Sequence, residues 1–179
     1  MLMNTLIRRA ELSDAPGIAR VHVESWRAAY TGIIADEYLD RLSITEKTRE
    51  RQQWLSYPPA GNVVLVAEVD GEIVGFASCG RERTNHPLYT GELYALYIRP
   101  SHQGQGLGHK LVQESTKELL AQGHQALLIL VLADNHSARG FYERLRGRVV
   151  LETTFTTGVQ TLPEVGYGWI DMRVLLKDE

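Results

Sequence analysis

One uninterrupted apolar segment constrains the fold more than any other feature of this chain. Residues 126–135 read ALLILVLADN, with no charged side chain before Asp134. Such a segment predicts a strand that is buried on both faces, and in a βαβ unit this implies parallel pairing. The preceding residues supply that unit, because a strand at 92–99 (ELYALYIR) is followed by a glycine-rich loop and by a helix from about 106 to 122.

The remaining elements extend this unit in both directions. Asp70-Gly71 joins two β-branched runs, and this pair favours a type I′ hairpin turn. The other predicted elements are a strand at 5–9, a helix capped by Ser13 or Asp14 and running to Tyr30, a second helical region from 35 that restarts at Ser43, a helix at 136–145, and strands at 148–156 and 166–176 separated by a loop containing Pro163. This α/β pattern predicts a single domain over residues 1–179.

The composition excludes several function classes. With 19 Lys and Arg against 22 Asp and Glu, the formal net charge is -3, so we expect no nucleic-acid partner. Cys79 is the only cysteine and the six histidines are scattered, so we expect neither a disulfide nor a metal site. The chain has no apolar stretch long enough to span a bilayer and no export signal, which predicts a cytoplasmic protein with no membrane partner.

The loop between the predicted strand and helix carries the clearest chemical signal. Residues 100–108 read PSHQGQGLG, and the glycines allow successive N–H groups to point into one concavity at the positive end of a helix dipole, which suits a pyrophosphate. A flexible turn is the plain alternative. The spacing does not fit a Walker A loop, because His109 follows Gly108. A dinucleotide site, with Asp134 on the ribose, is disfavoured because too few residues follow for a complete Rossmann sheet.

Two motifs then give a family resemblance. Gln103-x-x-Gly106-x-Gly108 resembles the pyrophosphate loop of the GNAT superfamily of N-acetyltransferases, and Asn135-x-x-Ala138-x-x-Phe141-Tyr142-Glu143-x-Leu145 resembles its second cofactor motif. The resemblance implies a mixed, strongly twisted sheet of about six to seven strands flanked by about four helices. It also implies a splayed, V-shaped cleft between the strands at 92–99 and 126–134, in which acetyl-CoA binds as a cosubstrate.

The resemblance also assigns site residues. Tyr142 would be the general acid that protonates the leaving thiolate, although a packed aromatic at a helix end is the structural alternative. Glu92 would be the general base, with Tyr94, Tyr97 and His22 as substitutes. The structural alternative is that Glu92 is simply an exposed carboxylate at the end of a strand. Asn135 would contact the cofactor or simply cap a helix. The implied cofactor-binding set is Leu96, Tyr97, Ile98, Gln103, Gly104, Gln105, Gly106, Leu107, Gly108, Asn135 and Tyr142.

These assignments predict an N-acetyltransferase that transfers an acetyl group to a primary amine of a small molecule, peptide or protein by direct attack in a ternary complex. A non-catalytic acyl-CoA-binding sensor or scaffold is the alternative. The acceptor would lie between two loops, at 26–36 and 155–164, with Tyr167 and Trp169 nearby. Homodimerisation would use the C-terminal strands or the second helix. Arg146 stands where the family commonly has glycine, so the helix before it is expected to end one residue later.

Overall fold

The computed structural model describes residues 4–158 and 160–177, so residues 1–3, 159, 178 and 179 of the predicted domain lie outside it. Seven strands form one sheet in the order β1-β2-β3-β4-β5-β7-β6. The strands are β1 (Thr5–Arg9), β2 (Val63–Val69), β3 (Glu72–Arg81), β4 (Gly91–Ile98), β5 (Leu127–Leu132), β6 (Arg148–Thr157) and β7 (Gln160–Trp169). The α-helices are α1 (Ala15–Tyr30), α2 (Asp36–Asp40), α3 (Ile44–Ser56), α4 (Leu107–Ala121) and α5 (His136–Arg144).

The sheet is mixed, as predicted, and its parallel pair is β4 with β5. The other neighbouring pairs of described strands are antiparallel. This arrangement differs from the doubly wound parallel sheet of a dinucleotide-binding domain. The predicted hairpin between β2 and β3 is confirmed, because Asp70 and Gly71 both have positive φ angles, 50° and 86°, as a type I′ turn requires.

Helices cover both faces of the sheet because side chains alternate along each strand. On β2, Leu65 and Ala67 pack into a cluster with Leu111 and Leu119 of α4, whereas Val64 and Val66 pack with Ile18 of α1 on the opposite face. Complete burial of each leucine contributes roughly 1.5–3 kcal/mol relative to exposure. The two-sided core therefore fixes which face of the sheet each helix occupies.

The parallel strands β4 and β5 separate soon after they begin. Only Gly91, Glu92 and Leu93 of β4 pair with β5, at Leu127, Leu128 and Ile129. A β-bulge against β3 falls at the same point, between Ser78 and Cys79, and a bulge increases local twist and bends the strand. The predicted V-shaped opening is therefore present, and it leaves one edge of β4 from Tyr94 to Ile98 without a partner among the described strands.

The last predicted strand, residues 166–176, is wrong. The strand in this region is β7, which ends at Trp169 and does not continue to residue 176. Met172–Leu176 instead form a 3-10 turn capped by the Asp171 carboxylate. Met172 and Leu175 are buried against the α4 side of the sheet, so they are apolar for packing and not for strand pairing. Pro163 lies inside β7, opposite Thr154 of β6 and one residue past the end of the ladder with β5. Its carbonyl accepts a hydrogen bond from the Ala133 amide, just beyond the end of β5.

The expected extension of α5 is also wrong. The helix ends at Arg144, and Arg146 adopts a left-handed conformation with φ of 65°. The next amide, that of Gly147, donates to the Tyr142 carbonyl at 2.9 Å. Arg146 therefore takes the conformation that glycine usually provides at a helix end, and β6 begins with a register shift against β7 between Val149 and Leu151.

Candidate active site

A cleft of about 990 Å³ lies where β4 and β5 diverge. Its walls come from the unpaired part of β4, the C-terminal part of β5, the loop before α4, and α5. The predicted residues on these walls are Leu96, Tyr97, Ile98, Gln103, Gly104, Gly106, Leu107, Gly108, Asn135 and Tyr142. Gln105 belongs to the same loop but does not line the cleft, and neither does Glu92.

The glycine-rich loop places backbone N–H groups at the start of α4. Gly104 and Gly106 have φ angles of 73° and 78°, and a Cβ on either would meet no atom within 4 Å. Their requirement is therefore conformational and not steric. Gln103 anchors the loop by donating its side-chain amide to the Ile98 carbonyl at 3.1 Å. The first turn of α4 thus presents free donors and a positive dipole end, the features that bind phosphate groups.

The open edge of β4 can accept an extended ligand. Residues 95–98 pair with β3 on one side, and no described strand pairs with residues 94–98 on the other. The carbonyl of Ile98 already accepts bonds from Ser25 and Gln103, which fixes the strand end against α1 and the loop. An amide-containing chain laid along this edge would add to the sheet by main-chain hydrogen bonds.

Tyr142 lies on α5 with its ring in the core and its hydroxyl beside the cleft. The residue is 6% exposed, and its ring contacts Phe141, Tyr167 and Trp169. Burial raises the pKa of Tyr142 above its ordinary value, and the neighbouring Tyr30 raises it further. Its hydroxyl has no hydrogen-bond partner among the described residues. The phenol therefore remains protonated and has a proton available to a group in the cleft.

Asn135 has a structural role that is visible in the bonds it makes. Its Oδ1 accepts a hydrogen bond from the Ala138 amide at 3.1 Å, so it caps α5. The hydroxyls of Tyr30 and Tyr97, which also line the cleft, lie 3.1 Å apart. These residues line the cleft from α1, β4 and the start of α5.

Glu92 is buried, and its carboxylate is bound by Arg83. Its side chain is 1% exposed, and its carboxylate accepts from the Arg83 guanidinium at 2.6 Å and from the Arg83 amide at 3.0 Å. The Arg83 guanidinium also stacks on the Tyr94 ring at 4.2 Å. The expectation of an exposed carboxylate at a strand end is therefore wrong. A carboxylate held in this way would have to break its ion pair with Arg83 before it could contact the amine of an acceptor.

The other suggested bases are placed less favourably. His22 stacks on Trp26 at 4.9 Å, outside the walls of the cleft, and burial with Arg51 and Lys47 lowers its pKa to about 3. The Tyr94 hydroxyl donates to the Arg81 carbonyl at 2.6 Å. Burial raises the pKa of Tyr97 well above its ordinary value. Neither tyrosine becomes a phenolate base near neutral pH.

The predicted acceptor walls need two corrections. Residues 155–164 are not a loop, because β6 and β7 continue as a hairpin to Thr157 and Gln160. Tyr167 and Trp169 do not face the acceptor side, since both are buried in the core with α5. Tyr167 donates to Glu143 at 2.6 Å, and the Trp169 indole donates to the Leu145 carbonyl at 2.8 Å. Strand alternation decides this, because it puts odd-numbered residues of β7 on the α5 face.

Several lining residues were not assigned from the sequence. Ser25, Arg83 and Glu164 reach the cleft from α1, the loop after β3, and β7. They come from segments far apart in the chain, and no motif marks them. Glu164 was only the boundary of a predicted loop.

The described residues form neither a metal centre nor a membrane-spanning helix. Within residues 4–158 and 160–177, no three His, Cys, Asp or Glu side chains come together as a metal-binding group. None of the helices in the described part of the chain has the length and apolar character needed to cross a membrane.

The fold and cleft together define an acyltransferase, and the comparisons with known proteins give its family. The profile of the acetyltransferase (GNAT) family matches residues 23–147, so the chain belongs to that family. An uncharacterised N-acetyltransferase of Bacillus subtilis is 36% identical over 169 residues, covering 94% of this chain and 95% of the relative. An uncharacterised N-acetyltransferase of Archaeoglobus fulgidus is 31% identical, covering 76% and 88%.

Solved structures share the fold. The PaiA N-acetyltransferase of Thermoplasma acidophilum, crystallised in complex with coenzyme A, superposes with a TM-score of 0.68 at 23% identity, covering 90% of this chain and 98% of that chain. The predicted mixed sheet of about six to seven strands is therefore confirmed by the structure and its neighbours, with seven strands and with five α-helices where about four were expected.

Proposed function

We propose that this protein transfers the acetyl group of acetyl-CoA to a primary amine by direct attack in a ternary complex. The observation that carries the proposal is the open edge of β4 beside the glycine-rich start of α4, with the Tyr142 hydroxyl in the same cleft. The donors of the loop suit a pyrophosphate, and the strand edge suits the amide chain of pantetheine. Acetyl-CoA would supply the thioester that the amine attacks.

Different residues along the cleft would bind the cofactor and transfer protons. The backbone amides of residues 103–108 would hold the phosphates, and Leu96, Tyr97 and Ile98 would pair with the pantetheine chain. A free N–H of this strand would polarise the thioester carbonyl, as in an oxyanion hole. Tyr142 would donate its proton to the leaving sulfur, which its protonated state permits. Glu92 remains the sequence-based candidate for the base, although its ion pair with Arg83 argues against direct proton transfer.

Family membership and the available Tyr142 hydroxyl favour catalysis over a sensor or scaffold role. The cleft also favours CoA over a nucleotide cofactor, because the sheet around it is not doubly wound. A cytoplasmic setting remains our proposal, in keeping with the single cysteine, and homodimerisation stays a prediction.

The test has two parts. Titration calorimetry with acetyl-CoA, using ATP and NAD as controls, measures whether the cleft selects CoA. A thiol reagent then follows CoA release during incubation with a panel of primary amines. The protein contributes little background, because Cys79 is buried and burial raises the pKa of its thiol to about 12. Saturable acetyl-CoA binding with amine-dependent release supports the proposal. Binding without turnover on any amine would favour the sensor or scaffold, and failure to bind acetyl-CoA would refute both.

A further inference from the structure

The two carboxylates close to the acceptor side of the cleft differ in what they bind. Glu92 is buried under Arg83 and does not line the cleft. Glu164 is half-buried and lines it, and its carboxylate makes no ion pair or hydrogen bond with the described residues. A carboxylate without a partner in a cleft can take a ligand cation, whereas one held by an arginine cannot do so without breaking that ion pair.

The register of the sheet explains why Glu164 points into the acceptor side. On β7, Val165, Tyr167 and Trp169 pack into the cluster that contains α4 and α5. Strand alternation therefore directs Glu164 to the opposite face, where Leu162 packs among Trp26, Tyr30 and Phe155. Glu164 is also paired in register with Leu132 at the end of β5, which places it beside the opening and not on the outer part of the sheet.

The charged and titratable groups around Glu164 come from three elements. Arg83 faces it from the loop after β3, Glu92 from β4, and Tyr30 from α1. Its partners in the two adjacent strands, Leu132 and Thr153, carry no charge. Burial raises the pKa of Glu164, the negative charge of Glu92 raises it further, and Arg83 opposes both effects. A raised pKa makes this carboxylate a stronger base than an exposed glutamate.

We propose that Glu164 receives the ammonium group of the acceptor and takes its proton, and that Glu92 is a positioning residue that holds Arg83. This inference rests on the proposed acetyl transfer. It also names the acceptor class: a primary amine that is cationic in solution and carries an apolar or aromatic portion next to the amine. That portion would contact Trp26 and Phe155, whose rings line the same end of the cleft 6.4 Å apart.

The proton balance is complete with groups on the protein. The ammonium gives one proton to Glu164, and the neutral nitrogen then attacks the thioester carbon to form the C–N bond. The C–S bond breaks as Tyr142 gives its proton to sulfur, and the second proton of the nitrogen returns to Tyr142. Glu164 releases its proton to solvent, so each cycle yields an amide, CoA thiol and one free proton.

The test compares two kinds of acceptor in the full-length protein. Phenethylamine is protonated near neutral pH and needs a base, whereas aniline is already neutral. We expect Glu164→Gln to lower kcat/KM for phenethylamine by about 10²-fold or more, the usual contribution of a general base. We expect a much smaller change for aniline and unchanged acetyl-CoA affinity. Glu152→Gln is the matched control, because Glu152 is an exposed glutamate on neighbouring β6, paired with Val165.

The pH profile separates a proton acceptor from a positioning residue. With phenethylamine, the wild-type kcat/KM should fall at low pH as Glu164 becomes protonated. Glu164→Gln should remove this acidic limb, and Glu164→Asp should retain it. Glu92→Gln should keep the limb but move it to lower pH, since it removes a negative charge and frees Arg83 to approach Glu164.

The outcomes are distinguishable. If the wild-type protein acetylates phenethylamine and Glu164→Gln leaves both rate and pH profile unchanged, the assignment of Glu164 is overturned while acetyl transfer stands. Loss of the acidic limb in Glu92→Gln, with the limb kept in Glu164→Gln, would assign the base to Glu92 and also overturn it. Wild-type protein that acetylates other primary amines but not phenethylamine would overturn the acceptor class, whereas binding of acetyl-CoA without turnover on any amine would count against the proposed function itself.

Discussion

Replacing Tyr142 by phenylalanine removes one oxygen atom and leaves the ring in place. The ring contacts with Phe141, Tyr167 and Trp169, at centroid distances of 5.3, 5.9 and 6.3 Å, involve no hydroxyl group. The hydroxyl itself has no hydrogen-bond partner in the described part of the protein. Because no intramolecular hydrogen bond is lost, we expect the free energy of unfolding to change by less than about 1 kcal/mol.

Catalysis should respond far more strongly than stability. A general acid usually contributes about 10²–10⁴-fold, so Tyr142→Phe should lower kcat by that factor. This corresponds to about 2.7–5.5 kcal/mol of transition-state stabilisation. The folded-state pKa of Tyr142 is raised by burial, so the acid form is fully present below that value. The loss in the variant should therefore be nearly independent of pH through the neutral range.

The assay measures single-turnover acetyl transfer and acetyl-CoA affinity in the same preparation, together with thermal unfolding. Tyr89→Phe is the control, because Tyr89 is another buried tyrosine, 5% exposed, that lies outside the cleft. A Tyr142→Phe variant that retains more than a tenth of kcat would refute the acid role. Equal losses in the two variants would show that the effect comes from packing and not from the proton.

Three further predictions concern other parts of the chain. Arg146→Gly should raise the free energy of unfolding by about 1 kcal/mol in denaturant titrations, because it relieves a left-handed φ of 65° at an exposed residue; a decrease would contradict this. Gly106→Ala should weaken acetyl-CoA binding in calorimetry, since an L residue strains the φ of 78° at the start of α4; unchanged affinity would count against the loop as the phosphate site. Burial lowers the pKa of His22 from 6.5 to about 3, so the unfolded chain binds the extra proton and stability should fall as the pH drops from about 6.5 towards 3. His22→Gln should flatten that dependence in unfolding experiments, and an unchanged slope would place the effect elsewhere.

Local patterns were enough to predict much of the fold. The type I′ turn at Asp70-Gly71 follows from the φ angles that glycine permits, and the burial of residues 127–132 in a central strand, paired in parallel with β4 at residues 127–129, follows from an apolar run that only a covered strand can bury. The Ser43 cap of α3 also follows local rules, since its hydroxyl accepts from the Glu46 amide at 3.3 Å. These features depend on neighbours in sequence, and a sequence displays those neighbours directly.

The errors arose where packing decided between local alternatives. Residues 172–176 have strand-like apolar character, but they form a 3-10 turn because Met172 and Leu175 pack beneath α4. Pro163 suggested a loop, yet it is accommodated at the end of the β5 ladder. Arginine in place of the family's common glycine at position 146 suggested a longer α5, but Arg146 adopts the left-handed conformation itself. The first two outcomes depend on contacts with residues distant in sequence, whereas the third is closed by local hydrogen bonds to Tyr142 and Glu143.

The sequence by itself determined the order of elements, the glycine loop at the start of α4 and the motif that contains Tyr142. These depend on local conformational preferences and on spacing along one βαβ unit. Only the tertiary structure decided that Glu92 is held by Arg83, that Tyr167 lies in the core and that Glu164 faces the cleft. Strand register and alternation set those positions, because a shift of one residue moves a side chain to the other face of the sheet.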